Sequence, residues 1–279
     1  MIAARFPLHE RSRFMVDAHV HFHQQRLVEP TLDAAARNFA RLGPPAGPLF
    51  GALLLAEPAR ERIFEQITAS RTCGRWQLQP VAGEPQTILA SSGEGEIAIV
   101  CGRQVRCALG LEALALGTTA QYSDGRGLEE TLERIRADGG LAVVPWGFGK
   151  WMGRAGGIVR DLFSACSDAP GRVFAGDNGG RLHLWGMPRL LEAATEAGFR
   201  VLPGTDPFPF AADYRRVGAF GFVAEAEISQ SAPWGSLKQW LESPGAAPKP
   251  YGRALNPLQF LFNQGWMQIH NRVLPDAHR

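Results

Sequence analysis

The sequence lacks the features of a membrane protein or of a disulfide-rich secreted protein. In 279 residues no apolar run reaches the roughly 20 residues of a membrane span, and no apolar signal core follows the amino terminus. The four cysteines form no CxxC pair and no zinc-ribbon spacing, which favours free thiols in a reducing compartment. These absences predict a cytoplasmic protein without a membrane partner.

The sequence also lacks an excess of charge of either sign. Lys and Arg number 29 against 27 Asp and Glu, so the formal net charge is +2. This balance offers no electrostatic argument for a polyanion, so we expect a small-molecule substrate and no nucleic-acid partner. A homo-oligomer stays open, because the aromatic-rich segment from Pro257 to Met267 suits packing on its own domain or on a second subunit.

Apolar runs of strand length alternate with amphipathic helices along most of the chain, which predicts an α/β fold. Residues 49–56 and 141–146 are examples of the runs, and 128–137 is an example of the helices. Residues 74–107 break the rhythm with short strand-like pieces separated by turn signals, which predicts a β-hairpin insertion. About seven β-α units in one domain, residues 1–279, predict a distorted TIM-like β/α barrel with its site at the carboxyl ends of the strands.

Three histidines follow the first apolar run, from Phe14 to His23. In a strand His19 and His21 share a face, roughly 6–7 Å apart, so their two imidazoles can hold one metal ion. Asp17 lies on the same face and is a candidate to orient a histidine ring. The alternative is a histidine-rich strand end that binds nothing.

Polar residues also follow the later strands. Asp206 comes after the run that ends at Leu202 and suits a metal ligand or a general base, or else a turn residue before proline. Asp177 and Asn178 suit a pair that ligates or positions a substrate hydroxyl, or else an Asp-Asn-Gly-Gly turn. Glu112 stands in an apolar strand and requires a partner, either a metal or a cation.

A glycine-rich segment after residue 146 suggests an anion site. Lys150 and Arg154 lie within it, Trp146 precedes it and Arg181 follows a later strand. Backbone N–H groups at the start of a helix, with these cations nearby, suit a phosphate or carboxylate. A rim loop without a ligand is the alternative.

The segment from Asp17 to His21, with its HxH pair, and the Gly204-Thr205-Asp206 segment resemble the amidohydrolase and PHP (polymerase and histidinol phosphatase) superfamilies of metal-dependent hydrolases. The resemblance implies a distorted barrel in which His19, His21 and Asp206 bind zinc, manganese or iron. A PHP-like site would add an acid from a middle strand, for which we select Glu112 over Glu57.

The chain departs from these families in its later strands, which lack their histidines, and His183 is the late candidate. One metal site is therefore expected rather than two.

These observations predict a metal-dependent hydrolase that uses a metal-activated water on a small anionic substrate, with a phosphoester favoured over an amide. Its catalytic residues would be Asp206, Lys150 and Asp177. The predicted substrate-binding residues are Arg154, Arg181, Asn178 and Trp146. The alternative is a catalytically degenerate barrel that binds a small molecule or a partner without turnover, through the aromatic residues Trp146, Phe148, Trp151, Trp185, Phe208 and Phe210.

Overall fold

A computed structural model describes residues 13–42, 49–147, 149–166, 171–210 and 212–273. These residues form a mixed α/β fold with fourteen strands and seven α-helices. The strands are β1 Arg13–Val20, β2 Leu49–Leu55, β3 Glu57–Pro58, β4 Thr72–Cys73, β5 Trp76–Val81, β6 Glu84–Ser92, β7 Gly95–Val100, β8 Gly102–Arg106, β9 Glu112–Leu116, β10 Leu141–Trp146, β11 Phe174–Asp177, β12 Val201–Pro203, β13 Phe220–Glu225 and β14 Lys249–Gly252. The helices are α1 Val28–Ala40, α2 Ile63–Ser70, α3 Leu128–Ala137, α4 Gly153–Ala165, α5 Arg189–Glu196, α6 Pro233–Glu242 and α7 Pro257–Val273.

The strands form two sheets. The first has the order β14-β13-β1-β2-β7-β6-β5-β4, and the second has the order β12-β11-β10-β9-β8-β3. Strands β1, β2 and β7 run parallel, as do β10, β11 and β12, whereas β13 is antiparallel to β1 and β9 is antiparallel to β10. The predicted parallel units therefore account for the centre of each sheet.

A closed TIM-like barrel is not found among the described strands, and the prediction is corrected to two sheets. One reason is that the chain changes its strand partner between β2 and β3. Strand β2 pairs with β7, but β3 pairs with β8, which joins the second sheet through β9. The two sheets also meet where β12 lies against β1, and we call this junction the seam. There the N–H of Asp206 donates to the carbonyl of His19 over 2.8 Å. That contact brings the two sheets together without joining their ladders.

The predicted hairpins of residues 74–107 are antiparallel pairs, but they do not form a separate insertion. Strands β5, β6 and β7 pair antiparallel in turn, and β7 also pairs parallel with β2. The hairpins therefore extend the first sheet. Strand β7 is almost wholly apolar on both faces after Glu96, which suits this central position.

Three apolar layers hold the two sheets in place. Inward side chains of both sheets pack on each other and on α6, and they include Val16, Leu54 and Phe222. The outer face of the first sheet packs on α1 and α2, and that of the second sheet packs on α3, α4 and α5. The first helix after β1 carries its buried residues on one stripe, as its spacing predicts.

Residues 57 and 58 form β3, and helix α2 begins at Ile63. None of the described helices combines the length and the apolar character that a membrane crossing requires. The single-domain organisation of the chain stays a prediction.

Candidate metal centre

Strand β1 delivers two histidines to the seam between the sheets. Its apolar residues fix it between β2 and β13, so the polar side chains at its carboxyl end have defined positions. His19 and His21 are both buried, at 3% and 5% exposure, and their Nε2 atoms lie 3.0 Å apart. The face sharing that the sequence predicts for this pair is therefore confirmed.

Asp206 completes the cluster from the turn after β12. Its Oδ1 lies 3.5 Å from Nε2 of His19 and 3.2 Å from Nε2 of His21. Its backbone is in the left-handed region, with φ of 43°, which is uncommon for a residue other than glycine and marks a conformation fixed by its surroundings. Asn178 donates from Nδ2 to Oδ2 of Asp206 over 3.0 Å, so the predicted proximity of Asn178 to the site is also found.

The preceding glycine allows this turn to approach β1. A Cβ atom on Gly204 would lie 2.3 Å from the backbone nitrogen of His19, far inside van der Waals contact. Any side chain at this position would push the turn away from β1. Glycine at position 204 therefore sets the separation between Asp206 and the two histidines.

The three side chains fit a metal ion. Their ligand atoms lie within 4.8 Å of one another, and the three separations of 3.0, 3.2 and 3.5 Å bracket the roughly 3.3 Å between neighbouring ligands of a tetrahedral ion bound at about 2.0–2.1 Å. Two imidazoles and one carboxylate are a donor set used for zinc and for non-haem iron. This group, His19-His21-Asp206, could therefore hold a metal ion.

The electrostatics favour the ligating protonation states. Burial lowers the pKa of His19 to about 4, so its ring is neutral near pH 7 and has a free lone pair. Burial opposes ionisation of Asp206, but protonation of the His19 or His21 ring, a hydrogen bond from His21 and the charge of Lys150 outweigh it and hold the pKa of that carboxyl below its usual range. An anionic oxygen and ring nitrogens facing a common point repel each other unless a proton or a metal cation lies between them.

Asp17 does not orient a histidine ring, which corrects the role considered for it above. Its carboxylate is wholly buried and accepts from the N–H of Thr205 over 2.8 Å, from the Thr205 hydroxyl over 2.7 Å and from the N–H of Gly218 over 2.9 Å. These contacts fix the turn that carries Asp206.

The other predicted acids and cations are paired with each other. Nζ of Lys150 lies 2.5 Å from Oε1 of Glu112, and the guanidinium of Arg181 donates to Oδ2 of Asp177 over 2.8 Å. Both pairs lie at the expected strand ends, because β9 runs antiparallel to β10 and so places Glu112 at the carboxyl end of β10. Of the two partners expected for Glu112, a metal or a cation, the structure shows a cation, Lys150. A metal-ligand role for Glu112 and a catalytic role for Asp177 stay predictions.

Two further predicted residues stand at the edge of this region. Trp146 ends β10, is half-buried and pairs in register with Asp177. Arg154 is exposed in the first turn of α4. Their substrate-binding roles stay predictions.

Sequence reasoning missed two residues beside the cluster. The ring of His23 stacks on that of His21, with centroids 5.2 Å apart, and its Nε2 contacts the carbonyl oxygen of Pro207 over 2.7 Å. Glu61, in the turn before α2, places Oε1 4.0 Å from Nδ1 of His23. The run of three alternate histidines was the available signal for His23, whereas Glu61 had no motif. The late candidate His183 instead contacts the carbonyl of Leu255.

The aromatic residues of the alternative hypothesis separate into core and surface. Trp151 is buried and packs on Phe163. Phe208 stacks on Phe210, which stacks on Trp266 of α7. Phe148 and the side chain of Trp185 lie outside the described residues. Packing therefore accounts for Trp151. The stacked rings of Phe208, Phe210 and Trp266 instead begin two residues after Asp206.

Comparison with solved structures identifies the fold but not the activity. PsfC from Pseudomonas syringae PB-5123 matches with a TM-score of 0.58 and 16% identity, over 92% of this chain and 98% of PsfC. The lesion-specific endonuclease PfuEndoQ from Pyrococcus furiosus matches with a TM-score of 0.50 and 11% identity, over 85% of this chain and 57% of the endonuclease. No protein-family model matches the chain. No curated protein matches it either.

We inferred from the net charge that the protein has no nucleic-acid partner, and that inference is wrong. A fold similar to this one occurs in a lesion-specific endonuclease, so a formal charge of +2 does not exclude nucleic acid for this architecture. Net charge sums over the whole surface, whereas a substrate meets the local charge at one site.

Proposed function

We propose that the protein is a metal-dependent hydrolase of the amidohydrolase/PHP type that cleaves a phosphoester. The observation that carries the proposal is the convergence of Nε2 of His19, Nε2 of His21 and Oδ1 of Asp206 within 3.5 Å at the seam between the two sheets. His19, His21 and Asp206 would hold one divalent ion, either zinc, manganese or iron. When bound, such an ion lowers the pKa of a coordinated water toward neutrality and so supplies hydroxide.

The chain prepares this site before any ligand arrives. The neutral ring of His19 requires no deprotonation near pH 7, and Asp206 supplies the negative charge that offsets part of the charge of a divalent ion. Asn178 holds the second carboxylate oxygen of Asp206, which leaves Oδ1 directed at the histidines. This arrangement keeps the ligand geometry fixed, which favours catalysis over adventitious metal binding.

Lys150 supports an anionic substrate. Its ammonium group lies close enough to contribute to the lowered pKa values of both His19 and Asp206. It is 40% exposed, whereas its partner Glu112 is only 15% exposed, so Lys150 would bind a phosphate oxygen with its remaining N–H donors while the ion pair with Glu112 stays formed. Arg154, exposed in the next helix, would add a second cation.

The first experiment is metal analysis of tag-free protein. We expect near-stoichiometric metal in the wild type and in His183→Ala, a matched histidine outside the cluster, and loss of metal in His19→Ala/His21→Ala. Absence of metal from the wild type after incubation with zinc, manganese or ferrous iron would overturn the proposal.

The second experiment separates substrates. Metal-loaded protein is assayed with p-nitrophenyl phosphate, bis-p-nitrophenyl phosphate and an amide panel, with His19→Ala/His21→Ala as the control. Turnover of a phosphoester that disappears in the double variant supports the proposal. Amide turnover alone would retain the metal centre and reject the phosphoester, and phosphoester turnover that survives in the double variant would reject the assignment of the site.

A further inference from the structure

Glu61 has a backbone fixed by a buried ion pair. The guanidinium of Arg103 donates to the carboxylate of Glu57 over 2.9 Å and to the carbonyl of Glu61 over 2.7 Å. The Glu61 N–H also donates to the carbonyl of Pro58 over 2.9 Å. Arg103 and Glu57 are both almost fully buried, so this anchor has little freedom to move.

The carboxylate that this anchor presents is incompletely bonded. Oε2 of Glu61 is buried and has no hydrogen-bond partner among the described residues. The same holds for Nδ1 of His21, the ring nitrogen that faces away from Asp206. A buried polar atom without a partner costs about 1–3 kcal/mol, so two of them beside one metal centre require an explanation.

His23 does not supply the missing proton. Its Nε2 lies 2.7 Å from the carbonyl oxygen of Pro207, and a carbonyl accepts, so this nitrogen carries the proton. In the neutral ring Nδ1 then has a lone pair, which faces the carboxylate of Glu61 4.0 Å away and offers it no hydrogen. His21 is in the complementary state: when Nε2 keeps its lone pair for a metal, Nδ1 bears the hydrogen.

We propose that Glu61 is a positioning residue that accepts the Nδ1–H of His21 and thereby fixes the tautomer whose Nε2 lone pair points to the metal. The inference rests on the proposed metal centre. The bond requires the carboxylate to turn about the side-chain torsions of Glu61, since Arg103 anchors the backbone of that residue. Carboxylate partners of ligating histidines raise metal affinity, and their loss typically costs roughly 10- to 100-fold.

Glu65 provides a matched control. It lies four residues after Glu61, in α2, and its Oε1 accepts a hydrogen bond from Nη2 of the same arginine, Arg103, over 3.1 Å. It is more than half exposed and has no contact with the histidines among the described residues. Glu65→Ala therefore removes an Arg103 partner without touching the centre.

The test measures zinc affinity by competition with a chelator, together with zinc stoichiometry and the imidazole N–H signals of zinc-loaded, ¹⁵N-histidine-labelled protein. We expect Glu61→Ala to lose roughly 10- to 100-fold in affinity and the downfield signal of the His21 Nδ1–H. Glu61→Gln, which keeps a neutral acceptor, should recover part of both. Glu65→Ala should retain wild-type affinity and the signal.

Each other outcome counts against the inference. Unchanged affinity and signal in Glu61→Ala would overturn it while leaving the metal centre intact. A fall from two zinc ions to one would make Glu61 a ligand rather than a positioning residue. Wild-type protein that binds no zinc, manganese or iron would overturn the proposed function itself. Thermal unfolding of the metal-free variants identifies any that fail to fold, in which case Glu61→Gln alone decides.

Discussion

Asp17 and Asp206 lie on opposite sides of the same seam, yet their carboxylates have opposite surroundings. Asp17 accepts from three backbone N–H groups, those of His19, Thr205 and Gly218, and from the hydroxyl of Thr205. Asp206 accepts from one amide and faces two histidine rings. The backbone donors around Asp17 hold the turn in place, whereas the surroundings of Asp206 leave one of its carboxylate oxygens directed at two ring nitrogens.

The largest expected effect concerns the stability of the fold. Asp17→Ala should lower the free energy of unfolding by about 3–5 kcal/mol, because it leaves the N–H groups of Thr205 and Gly218 buried without an acceptor. Urea denaturation of metal-free protein measures it. Asp138→Ala, which removes a weak surface ion pair, should change the value by less than about 0.5 kcal/mol. A change below about 1 kcal/mol in Asp17→Ala would mean that the contacts of Asp17 do not maintain the fold.

The second effect should fall on metal binding instead. Asp206→Asn is expected to weaken zinc binding by more than the roughly 10- to 100-fold of an outer-shell change, because a ligand is lost. Asparagine tolerates the left-handed backbone at this position, so unfolding should change by less than about 1 kcal/mol.

Chelator competition and urea denaturation measure these two quantities. Asp213→Asn is the control in the following loop, where the carboxylate holds Arg216 and the N–H of Phe208. Zinc affinity as high as that of the wild type in Asp206→Asn would remove Asp206 from the centre.

The third prediction is that the stability of the fold depends on pH through Asp17. Burial raises the pKa of Asp17 from 3.8 to about 6, despite the donors around it. The folded state then keeps a proton that the unfolded chain releases, so this contribution is fully present below about pH 4 and is lost as pH rises through 6. Other groups titrate in the same range, so the measured quantity is the difference in unfolding free energy between wild type and Asp17→Asn.

That difference should fall as pH rises from 4 to 6 and become constant above 7. Metal-free protein is used, so that ligand protonation does not enter the measurement. A difference that rises with pH would mean that the donors outweigh burial at Asp17.

The smallest expected effect comes from the hydroxyl of Thr205, the residue before Asp206, which donates to Asp17. Thr205→Val keeps the shape but removes the donor to Asp17, and should cost about 1 kcal/mol of unfolding free energy. Its effect on zinc affinity should be smaller than that of Asp206→Asn, because the Thr205 N–H still holds the turn. Thr205→Ser restores the hydroxyl and should recover most of the lost stability. Equal losses in Val and Ser variants would assign the effect to packing.

The sequence predicted the parts of the centre that local pattern determines. Alternation along β1 placed His19 and His21 on one face, and a carboxylate after a buried strand identified Asp206. The sequence could not predict Glu61, since the position of this residue depends on a hydrogen bond from Arg103, which lies in β8. Nor could it predict the split into two sheets, because the change of partner between β2 and β3 is set by long-range pairing rather than by local periodicity.

The seam also has a consequence for how the chain is made. Asp17 and Thr205 are 188 residues apart, and β1 acquires its β13 neighbour from residues still later in the chain. At typical rates of synthesis, roughly 10 to 40 s separate the two halves of this contact. During that interval the histidine pair of the nascent chain has neither its carboxylate partner nor its second strand neighbour. Under the proposed function, metal capture would therefore be a late event in biogenesis, and a chain truncated before Thr205 would carry the histidines without forming the cluster.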